Sequence, residues 1–207
     1  MKFKAAWLAA ACSLATAASA HAASTDFATI GNWVAYPGAS GYSNGGVTLT
    51  YVGTPGTIWT TSQPTAPSGY SWYVPGSFGY TDISLTGGGT FTDAALLVGT
   101  GYGGTVPWLA YAFVSNGTVV ATGDWSTLPA YGDGLVTANL SSAVPITDLW
   151  LQGVAGAEPF SNANLDALAI AQVSLSGGPS AVPEPASWSL ALAGLAALGI
   201  AARRRRA

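Results

Sequence analysis

Between residues 24 and 181, apolar and polar residues alternate in short runs separated by turn residues. Val47–Tyr51 and Asp82–Thr86 alternate clearly, whereas Trp108–Val114 is apolar throughout. Alternation with a period of two predicts a strand with one buried face, and a short unbroken apolar run predicts a strand covered on both faces. The other predicted strands are Asn32–Tyr36, Tyr70–Val74, Phe91–Val98, Val119–Thr122, Leu135–Leu140, Ile146–Gln152 and Leu165–Leu175.

This pattern predicts an all-β fold, an antiparallel β-sandwich of about ten short strands. Asn116 and Gly117 separate two of the strands, and an Asn-Gly pair is a strong hairpin signal because both positions need a positive φ. The residues Ile30–Trp33 and Asn164–Leu168 give the layout a resemblance to jelly-roll domains of the carbohydrate-binding-module kind. That resemblance implies a jelly-roll-like sandwich and, as an alternative function, glycan binding.

The N-terminal segment has the pattern of a secretory signal peptide over residues 1–22. Basic Lys2 and Lys4 precede an apolar stretch of about fourteen residues, which is shorter than a membrane span and is followed by small residues. We expect a signal helix that is removed by cleavage after Ala20 or Ala22, which leaves an acidic domain over residues 24–181.

The C-terminal segment, residues 182–207, combines three features with separate physical roles. A proline-containing junction ends the preceding structure, an uncharged stretch over residues 187–202 predicts a transmembrane helix, and a basic cluster fixes the cytoplasmic side. The junction consists of Pro183, Glu184 and Pro185, and the cluster of Arg203, Arg204, Arg205 and Arg206. In this order, these features resemble the PEP-CTERM sorting signal.

The resemblance implies an exosortase, a membrane-embedded cysteine peptidase, as a partner of this tail. It also implies that the protein is held briefly in the inner membrane with its domain outside, and then reaches the cell surface or the extracellular matrix. The alternative is a permanent single-span anchor, which shares every feature except the Pro-Glu-Pro sequence.

The charge distribution excludes several functions. All 6 Lys and Arg residues lie in the two terminal segments, and 8 of the 9 acidic residues lie between residues 24 and 181, so this region carries −8 while the whole chain carries −3. A domain without cations cannot neutralise phosphates, so we expect no nucleic-acid binding, and membrane attachment only through the C-terminal helix. Because the domain also lacks His and Cys, it has no thiol nucleophile, imidazole base or usual zinc ligands, and we expect no cofactor.

We therefore expect a non-enzymatic surface or matrix protein, with glycan binding as the alternative. Trp59, Trp72 and Trp125 lie beside turn residues and are the candidates for stacking on an extracellular polysaccharide, whereas Trp150 is assigned to the core. A carboxylate-dependent glycosidase and an ice-binding protein rank lower, because neither a paired acidic strand motif nor a regular Thr-x-Thr array is present. The repeated sequence aromatic-Thr-Asp at Tyr80–Asp82 and Phe91–Asp93 leaves calcium binding open.

The tail predicts the composition of the mature protein. If it is cut near Pro183-Glu184-Pro185 after signal-peptide removal, the surface form retains no Lys or Arg, so trypsin should leave it intact even when it is unfolded, whereas chymotrypsin should cleave it. Intact-mass measurement of surface extracts checks this, with a control in which Pro183, Glu184 and Pro185 are replaced by Ala. A surface species of the native sequence that still carries Arg203–Arg206 contradicts cleavage and favours the permanent anchor.

Overall fold

All regular elements of the described part of the chain are β-strands. A computed structural model describes residues 22–28, 35–37, 41–54, 57–62, 66–75, 78–100, 108–129, 133–156, 160–161 and 165–177. The thirteen strands are β1 (Ala23–Thr25), β2 (Ala35–Pro37), β3 (Gly41–Asn44), β4 (Val47–Thr54), β5 (Thr57–Ser62), β6 (Tyr70–Pro75), β7 (Phe78–Leu85), β8 (Phe91–Gly99), β9 (Trp108–Ser115), β10 (Thr118–Thr127), β11 (Val136–Ile146), β12 (Asp148–Val154) and β13 (Leu165–Ser176).

The strands form two sheets in which every neighbouring pair is antiparallel. Sheet A has the order β2-β5-β6-β13-β8-β11. On the side of β13 that faces β6, its first residues pair with β6 and its later residues pair with β1. Sheet B has the order β3-β4-β7-β12-β9-β10. The beginning of β13 also pairs with the end of β12, at Gly153↔Asp166 and Val154↔Leu165, so these two strands join the sheets.

The core is made of alternate residues from the two sheets. Leu49, Ile83 and Leu149 come from sheet B, Leu96 and Ile170 come from sheet A, and all five are fully buried. Because side chains along a strand point to opposite faces, each of these buried residues places its immediate neighbours on the outer face of its sheet. This constraint determines which polar residues reach the surface.

A buried hydrogen bond connects the two sheets. The Trp72 Nε1–H of β6 donates to Thr81 Oγ1 of β7 over 3.1 Å, and both side chains are fully buried. The prediction that Trp72 is exposed for stacking on a glycan is therefore wrong. β6 lies between β5 and β13 rather than at a sheet edge, and Trp72 and Val74 alternate into the core.

The sequence pattern located the longer strands, although β7 and β10 extend well beyond the predicted Asp82–Thr86 and Val119–Thr122. β9 is covered on both faces as predicted, since Leu109, Ala110 and Ala112 are all fully buried. The hairpin between β9 and β10 is confirmed, because Asn116 and Gly117 have φ values of 50° and 78°. The short strands β1, β3 and β5 were not predicted. The predicted strand Asn32–Tyr36 overlaps β2 at Ala35 and Tyr36, and its first three residues lie outside the described part of the chain.

The predicted signal helix (1–22) and transmembrane helix (187–202) lie outside the described residues, apart from residue 22. Within the described ranges, no helix has the length and apolar character needed to cross a membrane.

The hydrogen bond between the sheets predicts the effect of a substitution that preserves shape. Thr81→Val fills a similar volume but removes the acceptor for the Trp72 indole, which should lower the free energy of unfolding by about 1–3 kcal/mol. Thr81→Ser keeps the hydroxyl group and should be affected less. Urea unfolding followed by tryptophan fluorescence measures both variants, and a Thr81→Val protein as stable as the native one contradicts the prediction.

Candidate functional site

The outer face of sheet B carries a cluster of polar and aromatic residues at its centre. On β7, Thr81 and Ile83 are buried, so Asp82 between them and Tyr80 before them point outward. On β12, buried Leu149 and Leu151 likewise leave Asp148 and Trp150 on the outer face, where they are half-buried. These outward positions make up the candidate functional site.

The register of the strands brings these side chains together. Asp82 is the direct cross-strand partner of Trp150, and Asp148 is the partner of Ser84, the next outward residue of β7. Directly opposed residues of an antiparallel pair point to the same side of the sheet. Asp148 is therefore a diagonal neighbour of Asp82, at roughly 7–8 Å by the usual geometry of such pairs.

Three aromatic rings pack together beside the two carboxyl groups. The ring of Tyr80 lies 4.6 Å from that of Trp150, with an interplanar angle of 34°. Phe160, which follows β12 in the chain, lies 5.4 Å from Tyr80 and 5.9 Å from Trp150. We call these three residues the aromatic cluster; the spacing is typical of favourable ring contacts.

Backbone contacts hold β7 in place next to this cluster. Gly79 has a φ of 150°, and a Cβ at this position would collide with the Val52 carbonyl oxygen of β4. Gln152 Nε2 of β12 donates a hydrogen bond to the Gly79 carbonyl oxygen over 3.1 Å. The glycine thus allows β4 to lie close to β7, and the amide ties β7 to β12 immediately before Tyr80.

Two buried polar atoms of the site keep hydrogen-bonding capacity. Among the described residues, Asp82 Oδ1 and Trp150 Nε1 have no partner that meets hydrogen-bond geometry, although the indole is close enough to favour the ionised carboxylate. Buried polar atoms of this kind are uncommon in proteins and often mark a position where a ligand or water binds. The Asp82 side chain as a whole is half-buried and so remains reachable from solvent.

The environment of Asp82 changes its acidity. Burial raises the pKa of Asp82 to about 7, the negative charge of Asp148 adds to the rise, and the contact with the Trp150 indole partly offsets it. Burial also raises the pKa of Tyr80, with further contributions from Asp82 and Asp148. Near neutral pH, Asp82 therefore exists as a mixture of the acid and the carboxylate, beside an aromatic surface.

The predicted stacking residues lie elsewhere. Trp125 is half-buried on the edge strand β10, where it pairs with buried Leu109 and packs against the core. Trp72 is fully buried, and the side chain of Trp59 lies outside the part of the chain whose side chains are described. Only Trp125 of the three thus keeps an observed exposed portion, and it lies on the core side of sheet B, opposite to the aromatic cluster.

Assignment of Trp150 to the core was wrong, and the sequence contained the signal that corrects it. In Asp148-Leu149-Trp150-Leu151, the two leucines are core residues, so Trp150 must share the outer face with Asp148. The same argument applied to Ile83 would have placed Asp82 on the outer face of its own strand, whereas its position beside Trp150 follows only from the pairing of β7 with β12.

The repeated aromatic-Thr-Asp sequence is not a structural repeat. Tyr80 of β7 points outward, whereas Phe91 of β8 is buried in the core. Asp93 is exposed on β8 and accepts hydrogen bonds of 2.7 Å from Thr92 Oγ1 and Ser141 Oγ. In the described ranges, no group of three or more His, Cys, Asp and Glu side chains is arranged to hold a metal ion.

Comparison with protein families decides the nature of the tail, because residues 181–206 match the PEP-CTERM protein-sorting motif. The tail is a PEP-CTERM sorting signal. The match contains Pro183, Glu184, Pro185 and the four arginines, all of which lie outside the described residues. No curated protein matches the chain.

The sandwich also has distant likenesses among solved structures. A family 29 carbohydrate-binding module from Piromyces equi is 9% identical, with 71% of this chain and 91% of that chain covered and a TM-score of 0.41. A family 32 module of NanJ from C. perfringens, in complex with galactose, is 16% identical (63% and 93% covered, TM-score 0.36). A family two carbohydrate esterase from Cellvibrio japonicus is 11% identical (78% and 37% covered, TM-score 0.36). At TM-scores below 0.5, these likenesses carry no argument about ligand or activity.

The raised pKa of Asp82 predicts a pH-dependent effect on stability. As pH rises from about 4 to 7, the unfolded chain releases this proton before the folded protein does, so the folded state loses stability over this window. Asp82→Asn removes the buried charge and should raise the urea midpoint at pH 8, with a smaller effect at pH 4.5.

Asp93→Asn is the matched control on the other sheet. Hydrogen bonds from Thr92 and Ser141 lower the pKa of Asp93, so its ionised form stabilises the fold and its loss should lower the midpoint at pH 8. A shift of the same sign for both variants, or one that is independent of pH for Asp82→Asn, contradicts the assignment.

Proposed function

We propose that this chain is an exported, non-enzymatic protein that is sorted through its PEP-CTERM tail and delivered to the cell surface or extracellular matrix. The observation that carries the proposal is the match of residues 181–206 to the sorting motif. An exosortase-type membrane peptidase is the partner that such a motif implies. The signal peptide predicted over residues 1–22 and the membrane helix predicted over residues 187–202 would complete this route with the orientation that it requires.

The domain that is delivered is a jelly-roll-like sandwich over residues 24–181. From β6 onward, successive strands alternate between the sheets, except for the β9–β10 hairpin. Their order is β6-β13-β8-β11 in sheet A and β7-β12-β9-β10 in sheet B. This arrangement of two interleaved four-stranded sheets supports the jelly-roll interpretation.

Within this role, we assign glycan binding to the outer face of sheet B. The C–H faces of a pyranose ring pack well on indole and phenol rings, and its hydroxyl groups need donors and acceptors close to those rings. The aromatic cluster supplies the rings, and Asp82 with the Trp150 indole N–H supplies an acceptor and a donor with hydrogen-bonding capacity left. This combination supports a glycan-binding site better than it supports a purely structural surface.

A second candidate, hydrolysis of a glycan, is favoured by one observation. Asp82 has a raised pKa and Asp148 is its diagonal neighbour, and glycosidases use a protonated carboxylic acid with a second carboxylate about 5–10 Å away. In such a reaction, Asp82 would protonate the leaving oxygen and Asp148 would activate water. Release of new reducing ends from a bound glycan, abolished in Asp82→Asn, would favour hydrolysis; binding without release favours the non-enzymatic proposal.

Ice binding receives no support from this face. Thr48 and Thr50 form one Thr-x-Thr row on β4, but the cross-strand partners of this row on β7 are Ser84 and Asp82. The Thr48 hydroxyl group is also bonded to Ser43 and Thr86 at 2.8 and 2.9 Å. A regular array on a flat sheet therefore does not extend from this row.

The glycan-binding proposal predicts that Trp150 carries most of the affinity. In the full chain purified in detergent, a bound polysaccharide should change tryptophan emission, and Trp150→Ala should weaken binding by roughly 1–3 kcal/mol, by analogy with stacking of bases on aromatic residues. Calorimetry on a panel of neutral and charged polysaccharides measures the affinity.

Trp59→Ala and Trp125→Ala test the positions predicted from sequence. Both should retain the affinity of the native protein if the outer face of sheet B is the site. If either variant loses binding while Trp150→Ala binds like the native protein, the site does not lie on this face. If no polysaccharide of the panel binds, only the proposal of an exported structural protein remains.

A further inference from the structure

All the charged side chains that the structure describes on the outer face of sheet B are acidic. Besides Asp82 and Asp148, it carries Asp124 of β10, which is exposed and pairs with Ala110, the residue that is also the partner of Gln152. No Lys, Arg or His occurs between residues 24 and 181, so no side chain of this region supplies a counter-charge. Any ligand of the face must therefore approach a surface of one sign.

Apart from each other, these carboxyl groups have only uncharged groups next to them among the described residues. Asp148 Oδ2 accepts a hydrogen bond from the Thr147 hydroxyl group, and the Trp150 indole lies close to Asp82 without meeting hydrogen-bond geometry. On the adjacent β4, the outward partner of Asp82 is Thr50, which is uncharged. Two neighbouring carboxylates that lack a cation repel each other, and a bound positive group would relieve both this repulsion and the cost of burial.

We infer that the glycan bound by the outer face of sheet B carries free amino groups, as a glucosamine polymer does; this inference rests on the glycan-binding function proposed above. A protonated sugar amine offers three N–H donors on a ring that can also stack. One sugar unit can therefore bind both the carboxyl groups and the aromatic cluster. The positive charge also gains from lying near the electron-rich face of an indole such as Trp150.

Other charged ligands fit this face less well. A uronic acid or sulfated polymer would bring more negative charge to Asp82, Asp124 and Asp148, which disfavours its binding. A calcium ion takes six to eight oxygen ligands, and the described residues provide no group of three carboxylates arranged around one point. An amine on a stacked ring matches both the charge and the aromatic surface.

A pair of ligands with one backbone tests the inference. A β-1,4-glucosamine hexasaccharide and its fully N-acetylated form differ only in whether each nitrogen is an ammonium or an acetamide group. The full chain in detergent should bind the amine form at least tenfold more tightly in 20 mM salt, and the preference should shrink in 300 mM salt because screening weakens ion pairing. Equal affinity for the two forms would overturn the inference.

Three variants separate this inference from the function on which it rests. Asp82→Asn should bring the two affinities within about twofold, because it weakens binding of the amine form far more than binding of the acetylated form, and Trp150→Ala should weaken both forms to a similar degree. Asp93→Asn removes the same charge from sheet A and should leave the preference unchanged. If Asp93→Asn reduces the preference as much as Asp82→Asn, bulk charge explains it and the inference is wrong; if neither hexasaccharide nor any panel glycan binds, the proposed glycan-binding function itself fails.

Discussion

The strict alternation of side chains along β7 and β12 is the constraint on which the rest of the structure depends. These strands are neighbours at the centre of sheet B, and each buried residue on them fixes the direction of the next. Thr81, Ile83, Leu149 and Leu151 are needed in the core, and Thr81 also accepts the hydrogen bond that ties the sheets together. Burial of these four residues therefore determines which side chains lie on the outer face. A shift of the strand register by one residue would exchange the residues of the two faces.

The partly buried carboxyl group of Asp82 on this outer face lowers the stability of the folded state. Asp82 is partly removed from water in a domain without cations, next to a second carboxylate, and one of its oxygens lacks a hydrogen-bond partner among the described residues. A group that only maintained the fold would be replaced at little cost by a neutral residue, because uncompensated charge in a partly buried position is destabilising. The glycan-binding role proposed above would give a reason for an acid at this position, and the apolar core beneath it offsets the cost.

Much of the fold could be predicted from sequence, because strand alternation and turn residues are local signals. The predicted hairpin at Asn116-Gly117 depends on two adjacent residues and was confirmed. Exposure of tryptophans was predicted less well, because proximity to turn residues does not reveal whether a strand is central in its sheet, as β6 is for Trp72. Phe160 joins Tyr80 across 80 positions of the sequence, through a loop whose path no local pattern describes, so the complete aromatic cluster could not be predicted.

The position of β13 has a consequence for the order of events during export. This strand is the last of the described strands along the chain, yet it lies between β6 and β8 in sheet A, pairs with β1 near the start of the described residues, and joins β12 of sheet B. Sheet A cannot close until Leu165–Ser176 is available, and the sorting tail begins only a few residues later. On the export route proposed above, the last strand of sheet A and the sorting tail would therefore reach the membrane almost together, and a peptidase that reads the tail would meet a domain that is only then able to become compact.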